Sequence, residues 1–225
     1  MNKTRKENKV TSEKNQGSGD RIATFSETNN HSFVNALELT TEKPDLLYPL
    51  FDEKGRQIAD ALTHQTGRLI KSELLTLNID GFGAFKASLG LPCCFFKYDL
   101  NPSDFIGLEL SLLLVKRISQ FFKGIDSFPE LPVEKITLSQ SDVILLSGAI
   151  NHAFSRLLSQ LQFNGEVSDV ILVPDKMVFC SENDKIMIAR YQFSLLGNNQ
   201  EAKESHGLNL IMNTSSVIRL FPSVS

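Results

Sequence analysis

Two histidine–arginine pairs recur in this chain at one spacing: His64 with Arg68, and His152 with Arg156. On a helix, residues four apart share a face. Such a pair could bind a partner or act in catalysis. A solvated helix face carries the same residues, and the apolar stripe lies elsewhere: Ile58, Ala61, Leu62 and Leu69 near the first pair, Val143, Leu146, Ala149, Ile150, Ala153, Phe154, Leu157 and Leu161 near the second. Both pairs are therefore expected to face solvent. Cys93, Cys94 and Cys180 are the only thiols. Adjacent strand residues point to opposite faces, so Cys93 and Cys94 could not share a metal, and one of them should be semi-exposed. Cys180 has no histidine at ligand spacing, and no activating base accompanies any thiol. No catalytic residue, metal site or cofactor is expected.

Two further motifs invite a functional reading and do not sustain it. Gly81-Phe82-Gly83-Ala84-Phe85 is rich in glycine like a phosphate loop. It lacks the following Lys-Ser/Thr, and a twisted strand or turn is expected in place of a helix opening. Phe95-Phe96-Lys97-Tyr98 could stack bases in an RNA-binding sheet. The formal net charge is −3 and no second motif supports it, so nucleic acid is not expected as a partner and the aromatics are assigned to the core.

The chain has 225 residues, 41% hydrophobic and 22% charged, ordinary values for a globular protein. No apolar run approaches the roughly 18 residues of a membrane span. The start, Met-Asn-Lys-Thr-Arg-Lys, has no apolar stretch behind it, so no secretory signal is expected and a cytoplasmic protein with reduced thiols is the simplest reading.

The elements that must position these residues follow from punctuation and period. Residues 1–30 are polar, with few large apolar side chains, and are expected to be a disordered tail. Residues 31–44 read as a linker or short helix, and 45–225 as one domain with half-repeats 45–126 and 127–225. Leu47–Leu74 reads as a helix, Leu75–Leu89, Pro92–Leu100 and Phe105–Leu110 as strands, and Leu112–Phe122 as a helix stopping near Gly124. In the second half, Ser139 and Asp142 form a capping-box signature for a helix reaching about residue 162. Strands follow at Val167–Cys180, Ile186–Leu196 and Gly207–Met212, with a polar loop from Gly197 to Ser205.

The halves also align. Ala61-Leu62-Thr63-His64 matches Ala149-Ile150-Asn151-His152 at an offset of 88 residues. Gly107-Leu108-Glu109-Leu110 matches Gly207-Leu208-Asn209-Leu210 at an offset of 100. The order of elements repeats as well. The expected fold is α/β (α+β): a helix–three-strand unit duplicated about a pseudo-dyad, forming one antiparallel sheet with helices packed on it.

Phe121-Phe122-Lys123-Gly124-Ile125-Asp126-Ser127-Phe128-Pro129 resembles a loop of the FliM middle domain, where Phe-Gly-Gly-x-Gly follows a helix and Phe-Pro closes it. Leu138-Ser139-Gln140-Ser141-Asp142 resembles that family's Phe-Thr-Pro-Thr-Glu helix opening. Leu208-Asn209-Leu210-Ile211-Met212 through Val217-Ile218 resembles its last strand and terminal helix. Together these cover residues from about 45 to 222 of the CheC/FliM-like pattern. Two of the loop's three glycines are replaced here, by Lys123 and Asp126. The family's C-terminal SpoA-type domain has no counterpart before Ser225.

The resemblance implies a non-catalytic subunit of the flagellar motor switch, or C-ring, acting in torque generation, rotational switching and chemotaxis. It implies contacts with the rotor protein FliG, with FliN and with neighbouring FliM subunits. The phosphorylated response regulator CheY would be a further partner; the family's acidic capture peptide is not evident, and Ser32–Leu39 is a weak counterpart of it. It places the protein on the cytoplasmic face of the inner membrane, at the basal body, with no membrane span. The FliG-type contact would comprise Phe121, Phe122, Lys123, Gly124, Ile125, Asp126 and Phe128. The charged side chains of Lys123 and Asp126 should weaken close apolar docking there. The alternatives are the equivalent ring protein of a type III secretion sorting platform and a CheC-like phosphatase of a response regulator. Those phosphatases carry Glu-x-x-Asn on their helices to orient water. Here Asp60 is followed by Thr63, and Asn151 is preceded by Gly148, so neither helix has both groups.

Overall fold

The computed structural model describes residues 44–125, 136–158, 166–196 and 202–221. The polar tail, the Ser32–Leu39 segment, Asp126, Phe128, Leu161 and residues 197–201 lie outside them.

Helix α1 runs from Pro44 to Thr66 and β1 from Ile70 to Gly81. A short α2 (Phe82–Ser88) precedes β2 (Phe95–Asp99), β3 (Phe105–Leu110) and α3 (Leu112–Phe122). The second half supplies α4 (Gln140–Leu157), β4 (Asp169–Ile171), a 3-10 turn at Pro174–Lys176, β5 (Lys185–Leu196), β6 (Ala202–Asn213) and α5 (Thr214–Leu220). The six strands form one sheet in the order β1-β5-β6-β3-β2-β4, with every neighbouring pair antiparallel. That order is symmetric about the β6–β3 seam, each strand of one half mirrored by its counterpart in the other. The seam register pairs Glu109 with Asn209, the same two residues the sequence repeat matches at an offset of 100. The pseudo-dyad passes between them.

Alternation along the strands sorts the core into two layers. Ile106, Leu108 and Leu110, with Leu208, Leu210 and Met212, join α1, α3, α4 and α5 in the main cluster. Phe105, Ile186, Ile188 and Ile211 point to the opposite face, where α2 and Met177 cover them. Phe95, Phe96 and Tyr98 are buried, as a core reading requires.

Several boundaries differ from the sequence reading. The first helix ends at Thr66, not Leu74, because Gly67 turns to φ 66° and its N–H bonds the Thr63 carbonyl. Arg68 therefore lies beyond the helix and not on its face, and Leu69 is exposed, outside the apolar stripe. The stretch expected as one strand to Leu89 bends into α2 at Phe82. Phe82 and Phe85, three apart, both bury into the smaller cluster, and a strand would send them to opposite faces. The backbone N–H groups of Phe82 and Gly83 go to the carbonyls of Asp184 and Glu182, so this glycine-rich opening has no free phosphate cradle. The expected strand Val167–Cys180 shortens to Asp169–Ile171, since Pro174 opens the 3-10 turn.

Candidate functional site

Helix α3 carries the residues at which the loop expected to meet a partner begins. Ser111 caps its N-terminus, the Oγ accepting from the Leu114 N–H at 3.3 Å. Leu114, Val115, Ile118 and Phe121 bury one face. Arg117 is buried with them and holds Glu204 of β6 with two N–H groups, one at 2.7 Å. Glu204 also meets His206 at 3.1 Å. Burial pushes His206 below its ordinary value, outweighing the pull of Glu204. Burial alone would raise Glu204, but Arg117 and His206 hold it below the usual carboxylate range.

The helix stops in a Schellman motif. Gly124 adopts φ 71°, its N–H bonds the Phe121 carbonyl at 2.9 Å, and the Ile125 N–H reaches back to Gln120 at 2.9 Å. A left-handed residue here favours glycine, which accounts for the one loop glycine that remains. Phe121 sits in the core under the Arg68 guanidinium, 5.8 Å from its ring centroid. Phe122 is half-buried against the main cluster, while Gly124 and Ile125 are exposed.

Lys123 has a partner. Its Nζ lies 2.6 Å from Asp142 Oδ1, near the start of α4. The Asp142 carboxylate is fully buried and gathers four donors: Lys123, Ser119 Oγ, Lys116 Nζ at 3.1 Å and the Ser139 N–H at 3.0 Å. Ser139 Oγ accepts the capping bond from the Asp142 N–H at 3.2 Å, completing the capping box expected from sequence. Burial on its own would raise this carboxyl. The hydrogen bonds from Lys123, Ser119 and Ser139 win and hold it well below the usual range.

The structure thus brings Phe121, Phe122, Lys123, Gly124 and Ile125 to one corner against α4. Sequence reasoning found Asp142 as a cap and missed it as an ion-pair hub. Its lysines lie 19 and 26 residues away, and no local pattern signals that.

The positions that would carry phosphatase chemistry do structural work. Asn151 Oδ1 accepts the Val167 N–H at 2.6 Å. Thr63, its counterpart, accepts the Ile70 N–H at 2.9 Å. Both side chains therefore hold the chain at or near the entry to the first strand of their half. Asp60 and Gly148, each one turn before them, are exposed. Cys93 and Cys94 correct the expectation of one semi-exposed thiol. Both are buried, because they precede β2 in an irregular segment rather than alternating within it. Burial pushes Cys93 up to about 11 and Cys94 higher still. Cys180 rises to about 12 through burial and its hydrogen bond to Asp184. No group of three or more His, Cys, Asp or Glu that could hold a metal occurs among the described residues.

Against solved structures, the chain is similar to FliM of H. pylori in its complex with SpeE: TM-score 0.63, 13% identity, covering 80% of this chain and 94% of that one. The fold is that of the FliM middle domain. FliM of the H. pylori FliG–FliM complex superposes with a TM-score of 0.62 at 12% identity, covering 80% and 98%. Thermotoga maritima FliY gives 0.60 at 15%, covering 79% and 96%. No protein-family model matches the sequence, and no curated protein does. At these identities the FliM likeness is one of fold. No helix among the described residues is long and apolar enough to cross a membrane.

Proposed function

We propose that this chain is a non-catalytic, FliM-type structural subunit of the flagellar motor switch, working through protein–protein contacts on the cytoplasmic face of the inner membrane. The observation that carries the reading is its superposition on nearly the whole of a FliM chain solved together with FliG. By that likeness a FliG-type rotor protein is the first partner. FliN, neighbouring copies of the ring subunit and phosphorylated CheY follow as further partners. The proposed contact edge comprises Phe122, Lys123, Gly124 and Ile125 over the buried Phe121, which supports them from the core, and Asp126 and Phe128 complete the set.

The absence of an acid–asparagine pair on either long helix supports a subunit over a phosphatase, since positioned water needs both groups. Asn151 is already engaged by Val167. Two measurements on the purified chain test this. Titration with the FliG of the same organism should give saturable binding, weakened by Phe122→Ala. A phosphorylated response regulator should lose phosphate no faster with the chain than without it. Accelerated dephosphorylation together with no FliG binding would overturn the reading.

A further inference from the structure

We propose that Asp142 is the positioning residue of the α3–α4 corner, and that its bond to Lys123 compensates that lysine's charge at the partner edge. The inference rests on the functional reading above only for the identity of the partner.

A lysine at the end of α3 would ordinarily extend into water. A partner docking there would then have to strip its hydration, a cost of several kcal/mol for an uncompensated charge. Here the ammonium is already matched. Its Nζ lies 2.6 Å from a carboxylate oxygen, and that carboxylate is itself 1% exposed. The Lys123 side chain keeps 40% exposure. The ammonium is thus matched by a buried carboxylate, and the stem that carries it is apolar. The charged replacement of a glycine therefore leaves an edge that a low-polarity partner surface can still approach. Ile125 lies two residues beyond Lys123, 41% exposed. Ile144 lies two beyond Asp142, 65% exposed.

The same carboxylate has a second consequence. Asp142 accepts from Lys116 and Ser119 on α3, from Lys123 at its C-cap, and from the backbone that opens α4. One buried group thereby fixes the end of one helix against the start of the next. A glycine-rich version of the corner would have to lose backbone freedom on binding. This corner has lost it already, which lowers the ordering cost of docking. Lys123→Gly should accordingly loosen the corner and weaken binding, the opposite sign to simple relief of bulk.

Two readouts separate this proposal from the choice of partner. The first is amide hydrogen exchange in the chain alone. Lys123→Gln should speed exchange at Gly124 and Ile125 by tenfold or more, leaving β5 and β6 unchanged. Lys116→Gln, which removes a donor from farther back on α3, should change those two amides by less than threefold. Asp142→Asn should match or exceed Lys123→Gln. Should Asp142→Asn fail to fold, Lys123→Gln decides alone, since its side chain is partly exposed. Unchanged exchange in Lys123→Gln sinks the proposal, whatever the partner. The second is FliG titration, with a fivefold or greater loss expected for Lys123→Gly and Lys123→Gln alike. Tighter binding by Lys123→Gly overturns the inference and restores bulk as the controlling effect. If wild type does not bind FliG while exchange responds as stated, the positioning role stands and the choice of partner is what fails.

Discussion

The rings of His64 and His152 stack on one another, centroids 5.8 Å apart and planes inclined by 27°. His64 is exposed as expected, but His152 is half-buried against it rather than solvated. The two occupy equivalent places on α1 and α4, so each histidine meets its own counterpart at the helix–helix seam. Glu109 and Asn209 do the same in the sheet, where Asn209 Nδ2 donates to Glu109 at 2.7 Å. Two contacts between matched residues, one in each layer, mark a common pseudo-axis through helices and sheet.

Glycines separate close packing from chain flexibility. A Cβ on Gly107 would stand 2.1 Å from the Phe95 ring and 3.0 Å from Ile211. One on Gly55 would stand 2.4 Å from the Tyr191 ring. Gly107→Ala and Gly55→Ala should each destabilise the protein by about 1–3 kcal/mol through overpacking. Gly148 on α4 faces open space, so Gly148→Ala should stabilise by up to about 1 kcal/mol. Urea midpoints read all three, and a stabilising Gly107→Ala would show that Phe95 moves freely.

Acid should weaken the fold in two stages. His206 is held below its ordinary 6.5, so as pH falls through that value the unfolded chain takes up a proton that the folded chain refuses. Stability present above pH 6.5 is therefore lost on descent. Glu204 and Asp142, held below 4.5 and 3.8, lose their contributions next as the unfolded carboxyls protonate. Glu109 acts in the opposite sense. Burial raises it above 4.5, so acid relieves part of its cost. A urea midpoint that is flat near pH 7, falls below 6.5 and falls again above about 9, where the unfolded thiols ionise, is expected. His206→Gln should abolish the first stage, and an unchanged profile in that variant would assign the drop elsewhere.

Arg117 and Glu204 form a pair that should tolerate joint removal better than single loss. Arg117→Met leaves Glu204 facing a low-dielectric wall and should cost about 3–5 kcal/mol. The double variant Arg117→Met with Glu204→Gln should recover much of that. A double-mutant cycle with no coupling would mean the guanidinium is held by its stem and by Gln120 instead.

The thiols should be sluggish. With Cys93 pushed to about 11 and Cys180 to about 12, almost no thiolate exists at pH 7. Native protein should react with a disulfide reagent at least a hundredfold more slowly than urea-unfolded protein. Fast modification of even one thiol would expose local opening near β2 or at the turn before β5.

Much of this architecture was legible because it is local. Phe105–Leu110 and Leu112–Phe122 were readable to the residue from alternation and period, and Ser139 with Asp142 announced α4. What failed, besides strand bounds after Val167 (β4 is only Asp169–Ile171, and β6 starts at Ala202 rather than Gly207), was chiefly the stretch from Gly67 to Leu89. There Thr63 draws the chain into β1 through a side-chain bond, and Phe82 and Phe85 form a helix only because the second face of the sheet supplies a place to bury them. Neither cause is written in a short window. The corner shows the same division. The left-handed stop at Gly124 follows from residue type, but Lys123 reads as a free charge until the fold sets Asp142 beneath it.

The strand order also bears on how such a chain can come apart. β1 pairs with β5 and β4 pairs with β2, so each half lends its first strand to the other. Neither half, cut free at the connector between α3 and α4, owns a contiguous three-stranded sheet. Two separated fragments would have to find one another, as subunits of a strand-exchanged dimer do, and their assembly would depend on concentration. Tethering replaces that dependence with a fixed effective concentration in the millimolar range for a short linker. The duplicated chain is in this sense a dimer made permanent by a peptide bond, and it should melt as one unit at any dilution.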